Sequence, residues 1–488
     1  MKKLFLFLLL VFASAGLFAK TAVVYHTSDT HGFFYPRQGQ GGFAALAAVL
    51  DRETAPYLLL DGGDFAEGTV EVKNSRGLKA VQLMNKTGYQ AAALGNHEFA
   101  YGEEALENMW KEADFVVLAA NLAEKKTGQI PAPVSAYKIF DVGGVNIAVI
   151  GLANSRPTRR VEKYTFIDPL DALERALQQV EKEKPDVVVV LAHDSLADDR
   201  PEQPFYMGEI GRRFSGRVHV VLGGHAHKSF SNKYINDVLF LEDGAHLQSV
   251  GKVTVTADDE TGKFVSAQSV IIPLKVSETG ENQKIADYAQ SLKEPGMDDI
   301  LGTTAEPLPK TSAVSGEKDG AAENWIADVA RAYSAADVFV HNTAGVRTGL
   351  AEGPVMRRDL VDLFPFDDTV VLMEVDGKFL KQLVKNSLLP RNLLSYSGLR
   401  VTYRLDKKGR AKSVKIYVNG KKVKNKQKYL LATNSYLAGG GSEGKLFKTI
   451  PAENKKPAGD QTIRALLEKA LASGPVRAPD TGRVRQLP

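Results

Sequence analysis

The chain contains no cysteine. Disulfides, thiolate metal ligands and a lipidated cysteine are therefore excluded, and a metal site has to be built from nitrogen and oxygen donors. Excess charge is nearly absent too, at +4 over 488 residues. That is too little to argue for a nucleic-acid partner. The lysines that do cluster, from Lys407 to Lys428, read as the solvated edges of a two-stranded ribbon. There is no internal repeat and no low-complexity tract. Past the N-terminus no apolar run is long enough to cross a bilayer. The one apolar run at the start, Leu4 to Phe12, follows Lys2-Lys3 and precedes the small residues Ala13, Ser14 and Ala15. That order is that of a secretory signal, expected over residues 1–19 with cleavage after Ala15 or Ala19. The expected product is exported, periplasmic or extracellular, with no stable membrane anchor.

What is present is a large apolar fraction, 44%, which supplies a sizeable core, and a length that exceeds one domain. Continuous apolar runs alternate with helical patterns. Thr21 to His26, Tyr57 to Leu60, Ala91 to Leu94, Phe115 to Leu118, Val145 to Ile150, Val187 to Leu191 and Arg217 to Leu222 read as buried strands. Gly42 to Arg52, Leu78 to Lys86, Glu103 to Lys111 and Leu170 to Lys184 read as helices between them. This is the pattern of an α/β layered core. Leu239 to Leu241 and Lys252 to Thr256 are expected as half-exposed antiparallel strands closing that domain. The composition predicts a first domain over 20–276, a connection with a polar helix over 277–311, and a second domain over 312–488. The second domain carries a hairpin signal, Tyr417-Val418-Asn419-Gly420-Lys421-Lys422.

Five of the nine histidines, His31, His97, His193, His225 and His227, stand immediately after predicted strands, as do Asp29, Asp64 and Asn96. Loops at the C-terminal edge of an open α/β sheet converge on one crevice, so these groups are expected to meet. Carboxylates, imidazoles and a carboxamide without sulfur suit Zn, Mn, Fe or Co. Seven ligands are too many for one ion. They suggest two divalent ions about 3.5–4 Å apart, able to supply a hydroxide near neutral pH and to clamp a phosphoryl group.

Asp29-Thr30-His31, Gly63-Asp64, Gly95-Asn96-His97-Glu98, His193 and Gly224-His225-Ala226-His227 match, in order, the motif set of the calcineurin-like metallophosphoesterases. Asn324 to Asp328, Asn342 to Arg347, Leu363 to Phe366, Tyr396 to Arg400 and Ala432 to Gly441 resemble the C-terminal domain of 5′-nucleotidases, a group that includes UDP-sugar hydrolases and 2′,3′-cyclic-nucleotide phosphodiesterases. The resemblance implies a four-layer αββα sandwich followed by a smaller α/β domain, with the active site in the cleft between them and a domain rotation that opens it. It implies hydrolysis of nucleotide phosphate esters. Asp29, His31 and His227 would hold one ion, Asn96, His193 and His225 the other, and Asp64 would bridge. His97 would act on the phosphoryl group or the leaving oxygen. Asn342, Gly345 and Arg347 would meet the substrate, a small-molecule nucleotide.

Two departures stand out. The family's aspartate partner of the catalytic histidine falls at Ala100, so His97 is expected to be less well oriented unless Glu98 or Glu103 substitutes. The two aromatic rings expected to stack the base are also displaced. Leu393 or Leu394 occupies one position, with Tyr396 nearby. Gly440-Gly441-Ser442-Glu443-Gly444-Lys445 occupies the other, with Phe447 two positions on. Tyr396 and Phe447 are the candidate replacements. A thiosulfohydrolase of the same superfamily and a non-catalytic exported metal-containing binding protein are the alternatives.

Overall fold

A computed structural model describes residues 19–37, 39–196, 207–311, 319–388, 393–407 and 410–487. All of the expected signal segment except Ala19 lies outside these residues. The chain divides into two compact units between Lys293 and Glu294. The stretch 277–311 is shared out between them. Its polar helix, Gln283–Ser291, buries Ile285 and Ala289 and packs on the helix Phe43–Leu50 of the first unit. Ile300–Thr304 pairs with Gly353–Met356 in the second.

The strands of the first unit are β1 (Ala19–Thr27), β2 (Tyr57–Asp61), β3 (Ala91–Ala93), β4 (Val116–Leu118), β5 (Leu122–Glu124), β6 (Tyr137–Val142), β7 (Val145–Leu152), β8 (Tyr164–Phe166), β9 (Val187–Ala192), β10 (Val220–Leu222), β11 (Ser229–Ile235), β12 (Val238–Asp243), β13 (Ser249–Asp258) and β14 (Phe264–Pro273). They form two six-stranded sheets, ordered β14-β13-β1-β2-β3-β4 and β11-β12-β10-β9-β7-β6. Alternation of side chains along each strand makes four layers of them. In β2, Leu58 and Leu60 enter the core between the sheets while Leu59 faces the helices outside. In β9, Val187, Val189 and Leu191 point inward; Val188, Val190 and Ala192 meet the helix Pro169–Glu183 on the other side. The outer helices Phe43–Leu50, Leu78–Thr87 and Glu103–Glu112 cover the first sheet. The result is an αββα sandwich.

One expectation is corrected. The run Leu239 to Leu241 is antiparallel to β11, as expected, but it is not half-exposed. It is the centre of β12, which is buried throughout and pairs parallel to β10. Leu239 and Leu241 fill the inter-sheet core, and Val238 and Phe240 fill the outer one. A four-residue apolar run, Val238 to Leu241, does not reveal that both faces are covered. Lys252 to Thr256, within β13, is antiparallel to β1 with alternating burial.

The second unit holds a five-stranded sheet, in the order Leu394–Ser397, Val338–Asn342, Lys428–Asn434, Thr369–Asp376, Lys456–Thr462. Helices Ala321–Ser334 and Ile463–Ala472 bury one face of it. The helix Gly377–Ser387 and a second sheet of four strands cover the other. The lysine-rich hairpin pairs Tyr417 with Lys422 and Val418 with Lys421, across Asn419 and Gly420 at φ 48° and 76°. Two left-handed residues in succession are what a type I′ turn requires.

Candidate metal centre and active site

Parallel strands from both sheets of the first unit deliver the candidate ligands. Asp29 and His31 follow β1, Asp64 follows β2, and Asn96 and His97 follow β3. His193 follows β9, and His225 and His227 follow β10. The loops turn back sharply. Asp29, His31, Asp64, His225 and His227 all have positive φ, between 49° and 71°. Such backbone costs about 1–3 kcal/mol per non-glycine residue and persists only where the surroundings over-determine it. Here main-chain hydrogen bonds tie loop to loop, from Asp29 N to Gly63 O (2.9 Å), His31 N to Asp64 O (3.0 Å) and Gly224 N to Asp194 O (3.0 Å). Two glycines allow the carboxylates their positions. A Cβ on Gly95 would stand 2.0 Å from Asp64 Oδ1, and one on Gly224 would stand 2.7 Å from Asp29 Oδ2.

The ligand atoms gather into three overlapping groups, Asp29 with His31 and His227, Asp64 with His193 and His225, and His31 with Asp64 and His97; within each they lie within 4.8 Å of one another. Asp64 belongs to two of these groups. The ring tautomers are set by carbonyls. His31 Nδ1–H donates to Glu67 O (2.7 Å) and His193 Nδ1–H to Gly62 O (2.8 Å), which leaves each Nε2 turned toward the carboxylates.

These donors fit divalent cations. His31 Nε2 and His227 Nε2 face each other at 3.2 Å. His193 Nε2 is 3.0 Å from Asp64 Oδ2 but has no hydrogen-bond partner, and buried Asn96 Oδ1 has none either. Two buried carboxylates and nitrogen lone pairs aimed at common points form the electrostatic complement of a cation. Burial alone would raise Asp29, yet the charges of His193 and His227 hold it down at about 2. Burial likewise opposes charge on His193, but Asp64 and Asp29 carry it up to about 10. Burial prevails at His31, which is pushed down to about 4.

His97 has a carboxylate partner, and it is neither of the two expected. Glu98 is buried and accepts from the main-chain N–H of Asp64, Phe65, Ala66 and Gly95. Glu103 accepts from Glu162 N and Lys163 N. The partner is Glu67, whose Oε2 lies 2.5 Å from His97 Nδ1. Burial works against a charged ring here, but the Glu67 hydrogen bond and the Asp64 charge outweigh it, so His97 sits above its ordinary value.

One further histidine was not anticipated. His246 follows β12 with φ 58°; its ring stacks on Phe33 at 4.1 Å and lies 5.5 Å from His227 and 5.8 Å from His31. The rule that finds the other histidines would find this one if β12 were read as a parallel strand.

In the second unit, Asn342 ends its strand and its Oδ1 accepts from Asn434 Nδ2 (3.0 Å) at the end of the neighbouring parallel strand. Gly345 lies against the Asn342 side chain, and Arg347 is exposed with its guanidinium 5.5 Å from the Phe366 ring. Lys310, also unanticipated, is pushed below its ordinary value by burial and by the charge of Arg347. The expectation for the two aromatics is corrected. Tyr396 is 1% exposed and binds Ser387 Oγ through its hydroxyl (2.5 Å); Phe447 is 0% exposed and packs against Phe379. Both rings belong to one core cluster, so neither presents a face to a base. An exposed ring near this strand end is Tyr436, 44% exposed, two residues after Asn434.

Residues 22–229 match the calcineurin-like phosphoesterase family, and residues 300–449 match the 5′-nucleotidase C-terminal domain. The chain belongs to the calcineurin-like phosphoesterases of 5′-nucleotidase type. This phosphoesterase is a phosphoric ester hydrolase, and its family implies divalent metal ions. It is 25% identical to a 5′-nucleotidase of Vibrio vulnificus, over 86% of the chain and 84% of that protein. It is 24% identical to the endonuclease YhcR of Bacillus subtilis over 91% of the chain, which spans 38% of that longer protein. Its fold is that of a 5′-nucleotidase precursor from Thermus thermophilus, with a TM-score of 0.81 at 23% identity over 96% of this chain and 99% of that one. Among the described residues no helix is long and apolar enough to cross a membrane.

Proposed function

We propose that the phosphoesterase is an exported hydrolase of nucleotide phosphate esters, 5′-nucleotidase in type, that works with two divalent ions. The observation that carries the reading is the division of donors around Asp64. Asp29, His31 and His227 form one group, while Asp64 is grouped with His31 in a second and with His193 and His225 in a third, which supports Asp64 as the bridge. Asn96, with its buried Oδ1 unpaired, would join His193 and His225. When bound, such ions lower the pKa of water toward ~7 and neutralise phosphoryl charge. The protein's own groups do the rest. Carbonyl acceptors hold His31 and His193 in one tautomer, and the hydrogen bond from His225 N to Asp29 Oδ2 (2.9 Å) fixes that carboxylate. His97, with Nδ1 engaged by Glu67, offers Nε2 for proton transfer to the leaving oxygen. Arg347 is the cation offered to a phosphate or ribose-linked oxygen, for which its fork geometry suits it. The 5′-nucleotidase C-terminal domain supports nucleotides as the substrate class. Export is supported by the basic pair Lys2-Lys3 and the apolar run behind it.

The test is phosphate release by the metal-reconstituted protein from AMP, UDP-glucose, 2′,3′-cAMP and bis(p-nitrophenyl) phosphate, with sulfate release from a thiosulfonate followed in parallel. Phosphate from AMP is the expected result. Sulfate alone would transfer the protein to the thiosulfohydrolases, and a metal-loaded protein inert toward every ester would make it a binding protein.

A further inference from the structure

Glu67 is joined to two parts of the site at once. Its main-chain oxygen accepts from His31 Nδ1, and its side chain engages His97 Nδ1. It lies three residues after Asp64 in the loop that follows β2, so one short segment supplies a metal-ligand candidate, the backbone brace of a second, and the carboxylate that meets His97. No other carboxylate among the described residues is recorded on that nitrogen. Asp64 stands 3.8 Å away on the opposite nitrogen, Nε2, and Glu98 and Glu103 are occupied by main-chain amides.

We infer that Glu67 is the positioning residue for His97, doing from the β2 loop what a carboxylate three residues beyond the histidine could do equally well. The inference rests on the hydrolase reading above. A carboxylate on Nδ1 keeps a proton there and leaves Nε2 as the working nitrogen. The contact is short and charge-assisted, although the side chains keep 21% and 36% of their exposure. An exposed pair would be worth little for stability alone, so its value lies in ring orientation. The alternative position follows from local geometry. His97–Phe99 is a single 3₁₀ turn, and Ala100 N donates to His97 O (3.1 Å). Side chains three apart in a 3₁₀ turn eclipse, so a carboxylate placed at position 100 leaves the backbone on the same side as the His97 ring.

The experiment compares wild type, Glu67→Ala, Glu67→Gln and the double variant Glu67→Ala/Ala100→Asp, all metal-loaded, on one phosphate ester. Glu67→Ala should lower kcat by about ten- to a hundredfold, within the range of a general acid–base contribution, with KM within roughly threefold. Metal content should not change, because the main-chain brace on His31 survives. Glu67→Gln, which keeps an acceptor but not the charge, should fall between Glu67→Ala and wild type. The double variant should regain most of the loss. In the zinc-loaded protein with ¹⁵N-labelled histidine, a downfield Nδ1–H resonance of His97 should be present in wild type, lost in Glu67→Ala and restored in the double variant. A kcat for Glu67→Ala within twofold of wild type overturns the inference, as does a loss accompanied by lost metal and not repaired at position 100. Should wild type hydrolyse no phosphate ester, the hydrolase reading fails, and the resonance decides the Glu67–His97 pair independently.

Discussion

In the first unit, seven candidate donors leave five strand ends and five of them hold left-handed backbone to reach a common region. In the second, none of the five candidate substrate residues has a positive φ, Asn342 is tied to Asn434, and two of the five are core. The difference is one of cost. A metal centre needs several groups within a few ångströms, and the first unit accepts strain at five of the seven to bring them there. A surface that contacts the periphery of a substrate needs only one or two accessible groups on a rigid edge, such as Arg347. Under the proposed function, chemistry belongs to the first unit and affinity to the second, and each half of that reading can be broken.

The largest effect is expected at Asp64. Asp64→Asn preserves shape but removes the charge shared by two ligand groups. Turnover should fall by several kcal/mol in barrier, roughly a thousandfold or more, together with bound metal. Phosphate release and metal analysis on the same preparation check it. Full activity with full metal would show that the donors around Asp64 are not the reacting centre.

How much of this is legible in the sequence differs by kind of residue. Asp29, Asp64, Asn96 and the histidines are readable because each follows an apolar run that reads as a buried strand, and the direction of a buried parallel strand tells where its C-terminal loop lies. His246 obeys the same rule but is hidden behind β12, whose sequence does not declare that it runs parallel to β10 as well as antiparallel to β11. Glu67 cannot be read at all. Nothing at its position marks it, since its contact with His97 depends on how the loop after Asp64 folds back over the loop after β3. Tyr396 misleads because register decides its fate. It pairs with Val340 in a strand buried on both faces, and alternation places its ring in the core with Val338 and Val340.

Arg347→Ala tests the second unit. The side chain is exposed and its main chain is held by the bond from Arg347 N to Leu363 O (2.9 Å), so the fold should tolerate its loss. A hydrogen bond to a charged partner is worth ~1.5–3 kcal/mol, which corresponds to roughly a ten- to hundredfold rise in KM. If kcat falls instead while KM holds, the separation of chemistry from affinity is wrong.

The smallest effects distinguish the buried ring from the exposed one. Phe447→Leu removes part of a fully buried side chain that packs on Phe379. It should cost about 1–3 kcal/mol of stability, read as a lower denaturant midpoint, because a partly filled cavity remains. The KM ratio of AMP to ribose 5-phosphate should not change, because the ring faces other side chains rather than solvent. Tyr436→Ala should do the reverse. Its ring is 44% exposed and adds little to the core, so stability should stay within about 0.5 kcal/mol. Base stacking is worth ~1–3 kcal/mol, so the preference for AMP should drop roughly five- to a hundredfold if Tyr436 holds the base. A changed ratio in Phe447→Leu with an unchanged one in Tyr436→Ala would mean that the 442–449 segment rearranges to expose Phe447 when substrate binds, and the burial of that ring would then describe only the ligand-free unit.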